Sequence, residues 1–421
     1  MKRLIFLSSY DLSVNPVGEF PLPALSRRGW AIDVVARGAT NSVMDHVLPY
    51  PCKRHEMTAS KPGRLAYESS VFRWLQHART GPFDVIYIHS NMLAYRAAVG
   101  LAGPLFGKRL VYHATDYLDP LDYPLHAWLE RRLARRAAYH LNAEFHRAYI
   151  DQTRYGFRAP ILVVPPNLPS TWPVPGPSPE IRRKLGADSP DDVLVILPGG
   201  WSPLSPTSQL LEAIALLPPR FRLVMTTDLD AGLQAEFARL GIAQRVVCLG
   251  WQKHRDLFQY ASSGDIGVLL YTNKDLGTFF AAPTRLSEYL ACGLPILASH
   301  FTALQLLTLK HGIGLCADPG SPEDIARGLL ELEAARRHGR FSRAVIRQRF
   351  VDVFAFDHWE EAVCRAFDEV MDSSPLPSRP IRPTLSAVGG PLYGPYPPKV
   401  SQECAGAHSS PQPTGFPASR E

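Results

Sequence analysis

The chain of 421 residues contains no apolar run approaching the roughly 18–20 uncharged residues that a membrane-spanning helix needs, which excludes an integral membrane protein built on such helices. A secretory leader is not expected either. The apolar core of the opening segment is only Leu4–Leu7, Asp11 and Glu19 follow closely, and no small-residue cleavage site is visible. The opening therefore reads as a first β-strand in a chain that stays in the cytoplasm. There is no Cys-x2-Cys pair. Cys52, Cys248, Cys292, Cys316, Cys364 and Cys404 are scattered singly, which fits buried free thiols better than a disulfide framework or a metal site. Gly-x-Gly-x-x-Gly is absent after the first strand, which disfavours a dinucleotide dehydrogenase. There is no His-x-x-x-His, and in the one Asp-x-Asp, Asp228-Leu-Asp230, Asp228 reads as a helix cap. No metal and no cofactor are expected.

What is present is an ordinary globular composition, with 46% apolar and 20% charged residues, long enough for two or three domains. The net charge of +6 is unevenly placed: residues 1–150 hold 19 Lys and Arg against 12 Asp and Glu, so the first part is +7 and the remainder −1. Such a bias fits an anionic membrane surface, a phosphorylated substrate or a plain solvated basic face. No nucleic-acid-reading motif accompanies it, so nucleic acid is not an expected partner.

Short Val/Ile/Leu runs alternate with helical stretches from residue 1 to 164: Leu4–Leu7, Ile32–Ala36, Asp84–Ile88, Arg109–His113 and Ile161–Val164, with helices near 21–28, 64–78, 91–105 and 123–138. Near-continuous apolar strands between helices indicate a parallel sheet covered on both faces. Residues 165–190 crowd Pro165, Pro166, Pro169, Pro173, Pro175, Pro177 and Pro179 into one segment and read as a linker without helix or central strand. The alternation resumes over 191–355, with strands at Val193–Leu197, Phe221–Met225, Arg245–Leu249, Ile266–Leu270 and Leu294–Ala298. A helix over 356–372, with Trp359, Val363 and Phe367 at helical spacing, follows the second domain. The 373–421 tail, with 11 prolines among Gly, Ser and Thr, is expected to be disordered. The fold class is α/β, with two Rossmann-like domains.

The stretch Asp265–Ser299 is the most informative. A strand ends at Tyr271, a polar loop follows, Pro283 opens a helix, and Gly293 supplies its stop. That helix start lies at the carboxyl edge of a parallel sheet, where free amides and the helix dipole favour phosphate. Thr284 adds a hydroxyl, Arg285 a positive fork, and Glu288 a carboxylate one turn further in that could accept two ribose hydroxyls. An ordinary amphipathic helix with a surface Arg285–Glu288 ion pair fits the same residues.

The string Pro283-Thr-Arg-Leu-Ser-Glu-Tyr-Leu-Ala-Cys-Gly-Leu-Pro-Ile-Leu-Ala resembles the donor-binding signature of group 1 glycosyltransferases of the GT-B fold. Met1–Arg37, Phe83–Tyr87, Val195–Trp201, Arg245–Trp251 and Gly312–Leu315 resemble further family segments in the right order, so the resemblance spans about residues 1–372. It implies two Rossmann-like domains whose parallel sheets face each other across a cleft, with the 356–372 helix packing back on the first. It also implies transfer of a sugar from a nucleotide-diphosphate donor to a saccharide or lipid-linked acceptor, as in cell-surface polysaccharide or glycolipid assembly.

The implied donor site comprises Gly199, Gly200, Pro283, Thr284, Arg285 and Glu288, with Trp251 and Gln252 at the nucleobase. Gly199 and Gly200 fit a tight turn equally well. Two departures stand out: Phe280 occupies the position where many retaining members carry the first Glu of Glu-x7-Glu, and no Arg or Lys follows Gly200 closely. A binding or partner protein with weakened catalysis, and a nucleotide-sugar epimerase of the same fold, are the alternatives. In the first domain His113 and Asp116 end a strand facing the cleft and could bind the sugar or acceptor, His113 and Asp116 being the candidate catalytic residues there and Asp116 the base if the reaction inverts; a satisfied strand-end histidine fits His113 as well. His89 and Ser90 end another strand. Asp11, Asn15 and Gly18 lie in the first loop, on the acceptor side. Arg131, Arg132, Arg135 and Arg136 repeat at helical spacing, as a solvated face or as a peripheral contact with the anionic inner face of the cell membrane.

Overall fold

The computed structural model describes residues 1–57, 64–90, 109–117, 119–153, 157, 159–199 and 205–372. Gly200, the 91–105 helix and the 373–421 tail lie outside the described residues.

The first domain is a seven-stranded sheet of β1 (Lys2–Asp11), β2 (Trp30–Arg37), β3 (Lys53–Glu56), β4 (Val85–His89), β5 (Arg109–Ala114), β6 (Tyr139–Asn142) and β7 (Ile161–Val163), in the order β3-β2-β1-β4-β5-β6-β7. The second is a six-stranded sheet of β8 (Val193–Leu197), β9 (Phe221–Met225), β10 (Val246–Cys248), β11 (Ile266–Leu269), β12 (Ile296–Ser299) and β13 (Gly314–Ala317), in the order β10-β9-β8-β11-β12-β13. Every pairing is parallel. Helices cover both faces, and β4, β8 and β11 are buried along their whole length, which is why their side chains do not alternate polar and apolar. Each strand order reverses once, between β1 and β4 and between β8 and β11. Such reversals open a crevice at the carboxyl ends of the strands.

Two strands escape a reading by apolar runs. Strand β3 is an edge strand of Lys-Arg-His-Glu, and β6 is Tyr-His-Leu-Asn. In β6 the buried His140 meets the Ala134 carbonyl at 2.9 Å and Asn142 donates to Asp151 at 2.7 Å, so polar residues are tolerated inside the sheet. The helices Phe145–Thr153 and Thr302–His311 likewise lack a clear sequence signal.

The proline-rich stretch is not uniformly irregular. Ser178 caps a short helix, Pro179–Lys184, because proline in a first helical turn removes only an unused N–H. Earlier in the same stretch Trp172 is buried, edge-on to Phe20 of the first domain and to His254 of the second. The Leu168 amide donates to Ser287 at 3.1 Å, and the Phe356 amide donates to the Leu168 carbonyl at 2.9 Å.

The helix Asp357–Asp372 lies against the first domain, with Phe367 edge-on to both Trp30 and Tyr87. Lys2–Asp368, Arg27–Glu360 and Arg28–Glu361 ion pairs rim that contact.

Candidate active site

The helix Thr284–Ala291 is set by its neighbours. Gly267 on β11 admits the ring of Tyr289, since a Cβ there would stand 2.5 Å from it. The Tyr289 hydroxyl then donates towards the Ile196 carbonyl at 2.9 Å, tying the helix to β8 and β11 at their switch point. Pro283 sits one position earlier than expected, as the extended residue before the helix, and no side chain caps the helix start. The turn at Gly293, with φ of 73°, ends the helix two residues beyond Ala291.

Arg285 joins the two loops of that switch point. Its Nη1 donates to the Pro198 carbonyl at 2.8 Å after β8, and its Nη2 donates to the Tyr271 hydroxyl at 3.0 Å after β11. Burial works against the charge, but Tyr271, Tyr289 and Glu288 more than offset it, and the guanidinium stays charged with its pKa raised. These two bonds to neutral oxygens leave three of its five N–H groups for an anion. Gly199, at φ of 99°, lies beside it: a Cβ there would come within 4.0 Å of Nη1. The Gly199 amide donates to Thr226 at 2.7 Å.

Glu288 is buried and does not pair with Arg285, which removes the surface ion-pair reading. Its Oε1 meets His254 Nε2 at 2.8 Å, while Oε2 has no partner among the described residues. His254 has no partner on Nδ1 and is flanked by Trp172 and Phe258. Trp251 is 62% exposed, and Gln252 turns back to the Leu249 carbonyl at 2.7 Å. Asp230, not Asp228, caps the following helix, accepting from the Leu233 amide at 2.8 Å; the Asp228 carboxylate instead lies 3.0 Å from where a Cβ of Gly250 would stand.

The two domains meet across a cavity of about 320 Å³ lined by Thr115, Asp116, Tyr117 and Arg147 from the first and by Tyr271, Asp275, Gly277, Thr278 and Ala281–Pro283 from the second. The Tyr10 hydroxyl donates to Asp116, and burial together with that carboxylate raises the Tyr10 pKa. Arg147 donates to the Thr115 carbonyl at 3.1 Å and, across the cleft, to the Gly277 carbonyl. Phe280 stacks on His146 of the first domain, ring centroids 4.8 Å apart, and Glu144 raises the His146 pKa through their hydrogen bond. The aromatic ring at that position therefore belongs to the domain contact.

His113 is not in the cleft. It is buried, its Nδ1 lies 2.8 Å from the Tyr87 hydroxyl, and burial drives its pKa down to about 3, so it is a neutral packing group and not a proton-transfer candidate. His89 is likewise buried, against Ser8 at 3.0 Å, and Ser90 beside it adopts φ of 89°.

The first loop is mostly self-contained. Asp11 accepts from the Ser13 amide at 3.1 Å and faces Arg37, and Asn15 accepts from the Val17 amide at 3.3 Å. Gly18 allows the loop to lie on His89, since a Cβ would stand 2.5 Å from Nδ1. From this loop only Ser13 lines another cavity between the domains, about 140 Å³, where it joins Asn41, Val43, His46 and Val47 facing Trp251, Lys253 and Arg255. Among the described residues no group of His, Cys, Asp or Glu could hold a metal ion.

Thus Gly199 and Arg285 meet at one switch point, Glu288 lies one turn further along the same helix against His254, and Asp116 faces Pro283 across the cleft, whereas His113 and Gly18 pack inside the first domain. Sequence reasoning missed His254, Tyr271, Arg147 and Tyr10. Tyr10 and His254 are close in sequence to positions already singled out; Arg147 and Tyr271 carried no local signal.

Residues 22–167 match a family model described as "Glycosyl transferase 4-like domain", and residues 197–334 match one described as "Glycosyl transferases group 1". Among solved structures, sucrose-phosphate synthase from Thermosynechococcus elongatus superposes with a TM-score of 0.67 at 15% identity, covering 88% of this chain and 100% of that one. HepE of Anabaena, solved with UDP and glucose, gives 0.65 at 18% identity over 87% and 100%. A UDP-N-acetylglucosamine 2-epimerase gives 0.52 at 11% identity over 82% and 90%. No curated protein matches the chain.

Proposed function

Because the chain belongs to the group 1 glycosyltransferases and carries their GT-B fold, we propose that it moves a sugar from a nucleoside-diphosphate donor on its second domain to a saccharide or lipid-linked acceptor on its first. The observation that carries this is the interdomain cavity of about 320 Å³, in which the uncapped start of the Thr284–Ala291 helix faces Asp116 and Arg147. Glu288 Oε2 accepts the ribose hydroxyls, and His254 on Oε1 holds the carboxylate in place. Thr284, the first helix amides and the remaining N–H groups of Arg285 take the diphosphate, with the Gly199 turn allowing close approach. Trp251 and Gln252 flank the nucleobase.

Negative charge on the leaving diphosphate grows towards the transition state, so a fixed guanidinium and a helix dipole aimed at it stabilise that state more than the bound donor. Asp116 accepts the proton of the attacking hydroxyl if the reaction inverts, with the Tyr10 hydroxyl orienting it. Assembly of cell-surface polysaccharide or glycolipid at the cytoplasmic face of the membrane is the setting this chemistry suits. Purified protein incubated with UDP-, GDP-, ADP- and TDP-sugars and acceptor extracts should release a nucleoside diphosphate from one of them. Binding without release would refute transfer and assign a binding role, to which the Phe280–His146 contact gives some support. Sugar inversion at C2 of an unconsumed donor would assign the epimerase chemistry of the 2-epimerase neighbour.

A further inference from the structure

Arg147 is a buried cation without a counter-ion. It lies on the helix Phe145–Thr153, which follows β6 and so starts at the carboxyl edge of the first sheet, and it is only 7% exposed. Its Nη1 and Nη2 donate to the carbonyls of Thr115 and Gly277, both neutral acceptors. Its Nε N–H is buried without a partner, and each Nη keeps a second N–H. Among the described residues no carboxylate forms an ion pair with it, because the carboxylates around it are committed elsewhere. Glu144 meets His146 Nδ1 at 2.7 Å and accepts from the Arg147 amide at 2.9 Å, Asp151 accepts from Asn142 at 2.7 Å, Asp275 accepts from the Thr278 amide at 2.7 Å, and Asp116 accepts from the Tyr10 hydroxyl. Burying a charge with no partner of opposite sign is unfavourable, and a bound anion offsets it.

The cavity that Arg147 lines is the one of about 320 Å³ that also takes in Tyr271 and Ala281–Pro283. Tyr271 accepts from Arg285 at 3.0 Å, and Pro283 immediately precedes the uncapped helix start. One guanidinium therefore stands on the first-domain wall, and a second guanidinium with a helix start stands behind the opposite wall. We propose that Arg147 is a catalytic residue that binds the diphosphate of the donor from the first domain, so that the phosphates lie between Arg147 and Arg285. The proposal rests on the donor site described above and adds a cation from the opposite side of the cleft. Charge balance favours it. Arg285 and the helix start together supply about one and a half positive charges, less than the doubly negative diphosphate of a bound donor. The deficit then grows. When the bond from the sugar C1 to the diphosphate oxygen breaks, its electron pair stays on that oxygen, while the acceptor oxygen bonds to C1 and gives up its proton, to Asp116 if the reaction inverts. Arg147 meets the added charge on the leaving group. Because it comes from the first domain, the full set of cations surrounds the diphosphate only when the cleft is closed, as the Gly277 and Phe280 contacts hold it here.

The full chain is titrated by calorimetry with UDP, GDP, ADP and TDP, and with the nucleoside of whichever of them binds. Arg147→Met keeps the stem of the side chain and removes every N–H. Loss of a hydrogen bond between charged groups should lower diphosphate affinity by about ten- to a hundredfold. Nucleoside affinity should not change, since base and ribose are held by the second domain. Arg147→Lys, which keeps the charge without the planar fork, should restore part of the loss. A residue that merely latches the domains gives another pattern: diphosphate and nucleoside weaken together, or neither weakens, and either result overturns the proposal. Should Arg147→Met fail to fold, wild-type protein with isotope-labelled arginine decides by NMR. The bound nucleotide should shift the Nε resonance that Arg147→Lys lacks, and an unmoved resonance overturns the proposal. Wild-type protein that binds none of the four nucleotides overturns the donor-site reading and this proposal with it, whereas binding untouched by Arg147→Met overturns this proposal alone.

Discussion

Replacing Glu288 separates the donor-site reading from a scaffold reading with one residue. The carboxylate is buried, holds His254 through Oε1 at 2.8 Å, and keeps Oε2 uncommitted. Glu288→Gln preserves the shape and an oxygen for His254 but removes the charge from whatever the second atom meets. A hydrogen bond to a charged group contributes about 1.5–3 kcal/mol, against about 1 kcal/mol for a neutral pair, so donor affinity should fall by roughly two- to thirtyfold. The folded state should change little. Glu288→Ala is different, because it strips His254, whose Nδ1 already has no partner, of its remaining hydrogen bond. An orphaned buried donor costs about 1–3 kcal/mol, so this variant should lose stability as well as affinity. Isothermal titration with nucleoside diphosphates and their sugars reads the first quantity, and urea unfolding the second. If Glu288→Gln binds every donor as the wild type does, the helix is scaffold and the donor site lies elsewhere.

Arg285→Ala should depress turnover more than donor binding, because it acts on charge that develops in the transition state, whereas Tyr271→Phe, which spares the bond to the Pro198 carbonyl, should do neither strongly; equal losses in kcat and affinity for Arg285→Ala would contradict this. Burial lowers the pKa of His113 to about 3 and of His140 to about 4, so below about pH 6.5 the unfolded chain takes up protons that the folded one refuses, and stability should fall as pH drops, by up to about 1.4 kcal/mol per pH unit for each. Burial lowers the pKa of His89 in the same way, whereas His146, with its pKa raised by Glu144, works in the opposite sense, so unfolding free energies from urea titrations at pH 7.5 and 5.5 should differ by about 3 kcal/mol in favour of the higher pH, and a flat profile would refute the burial argument. Truncation after residue 355 removes Phe367 from Trp30 and Tyr87, and should lower the melting temperature and raise dye binding to exposed apolar surface; a compact, equally stable product would refute the contact's importance.

The parts of the fold legible in the sequence are those whose signal is local. Fully buried parallel strands such as Val193–Leu197 announce themselves as apolar runs, and the Pro283–Gly293 helix carries its own start and stop. Strand β3 does not, because an edge strand of charged residues has no apolar run to show, and β6 does not, because its polar residues are satisfied by Ala134 and Asp151 from elsewhere in the chain. The same limit applies to the candidate site. Gly199, Arg285 and Glu288 could be singled out from the segments they open or follow. The burial that takes His113 out of the cleft depends on Tyr87, twenty-six residues away in sequence and adjacent only through the pairing of β4 with β5.

The connection between the domains carries that point into function. A proline-dense stretch read as a spacer sets no geometry, yet here Trp172 lies edge-on to Phe20 and His254, and His254 in turn holds Glu288. The carboxylate proposed to read the ribose is therefore packed, through two rings, onto the domain proposed to hold the acceptor. Ser287, one residue before Glu288, receives the Leu168 amide of the same stretch, so the helix is fixed from two sides. On the opposite side of the cleft, Arg147 reaches the Gly277 carbonyl and Phe280 stacks on His146. Any rotation that opens the cleft must break or carry along the Arg147 and Phe280 contacts, while the Trp172 chain is suited to act as the pivot, because its rings are buried and its backbone is bonded to both the helix and the return segment at Phe356. Phe280, where the family resemblance implies an acidic contact, belongs to that closing surface, and with no Arg or Lys close after Gly200 the proposed diphosphate site draws the positive charge of its own domain from Arg285.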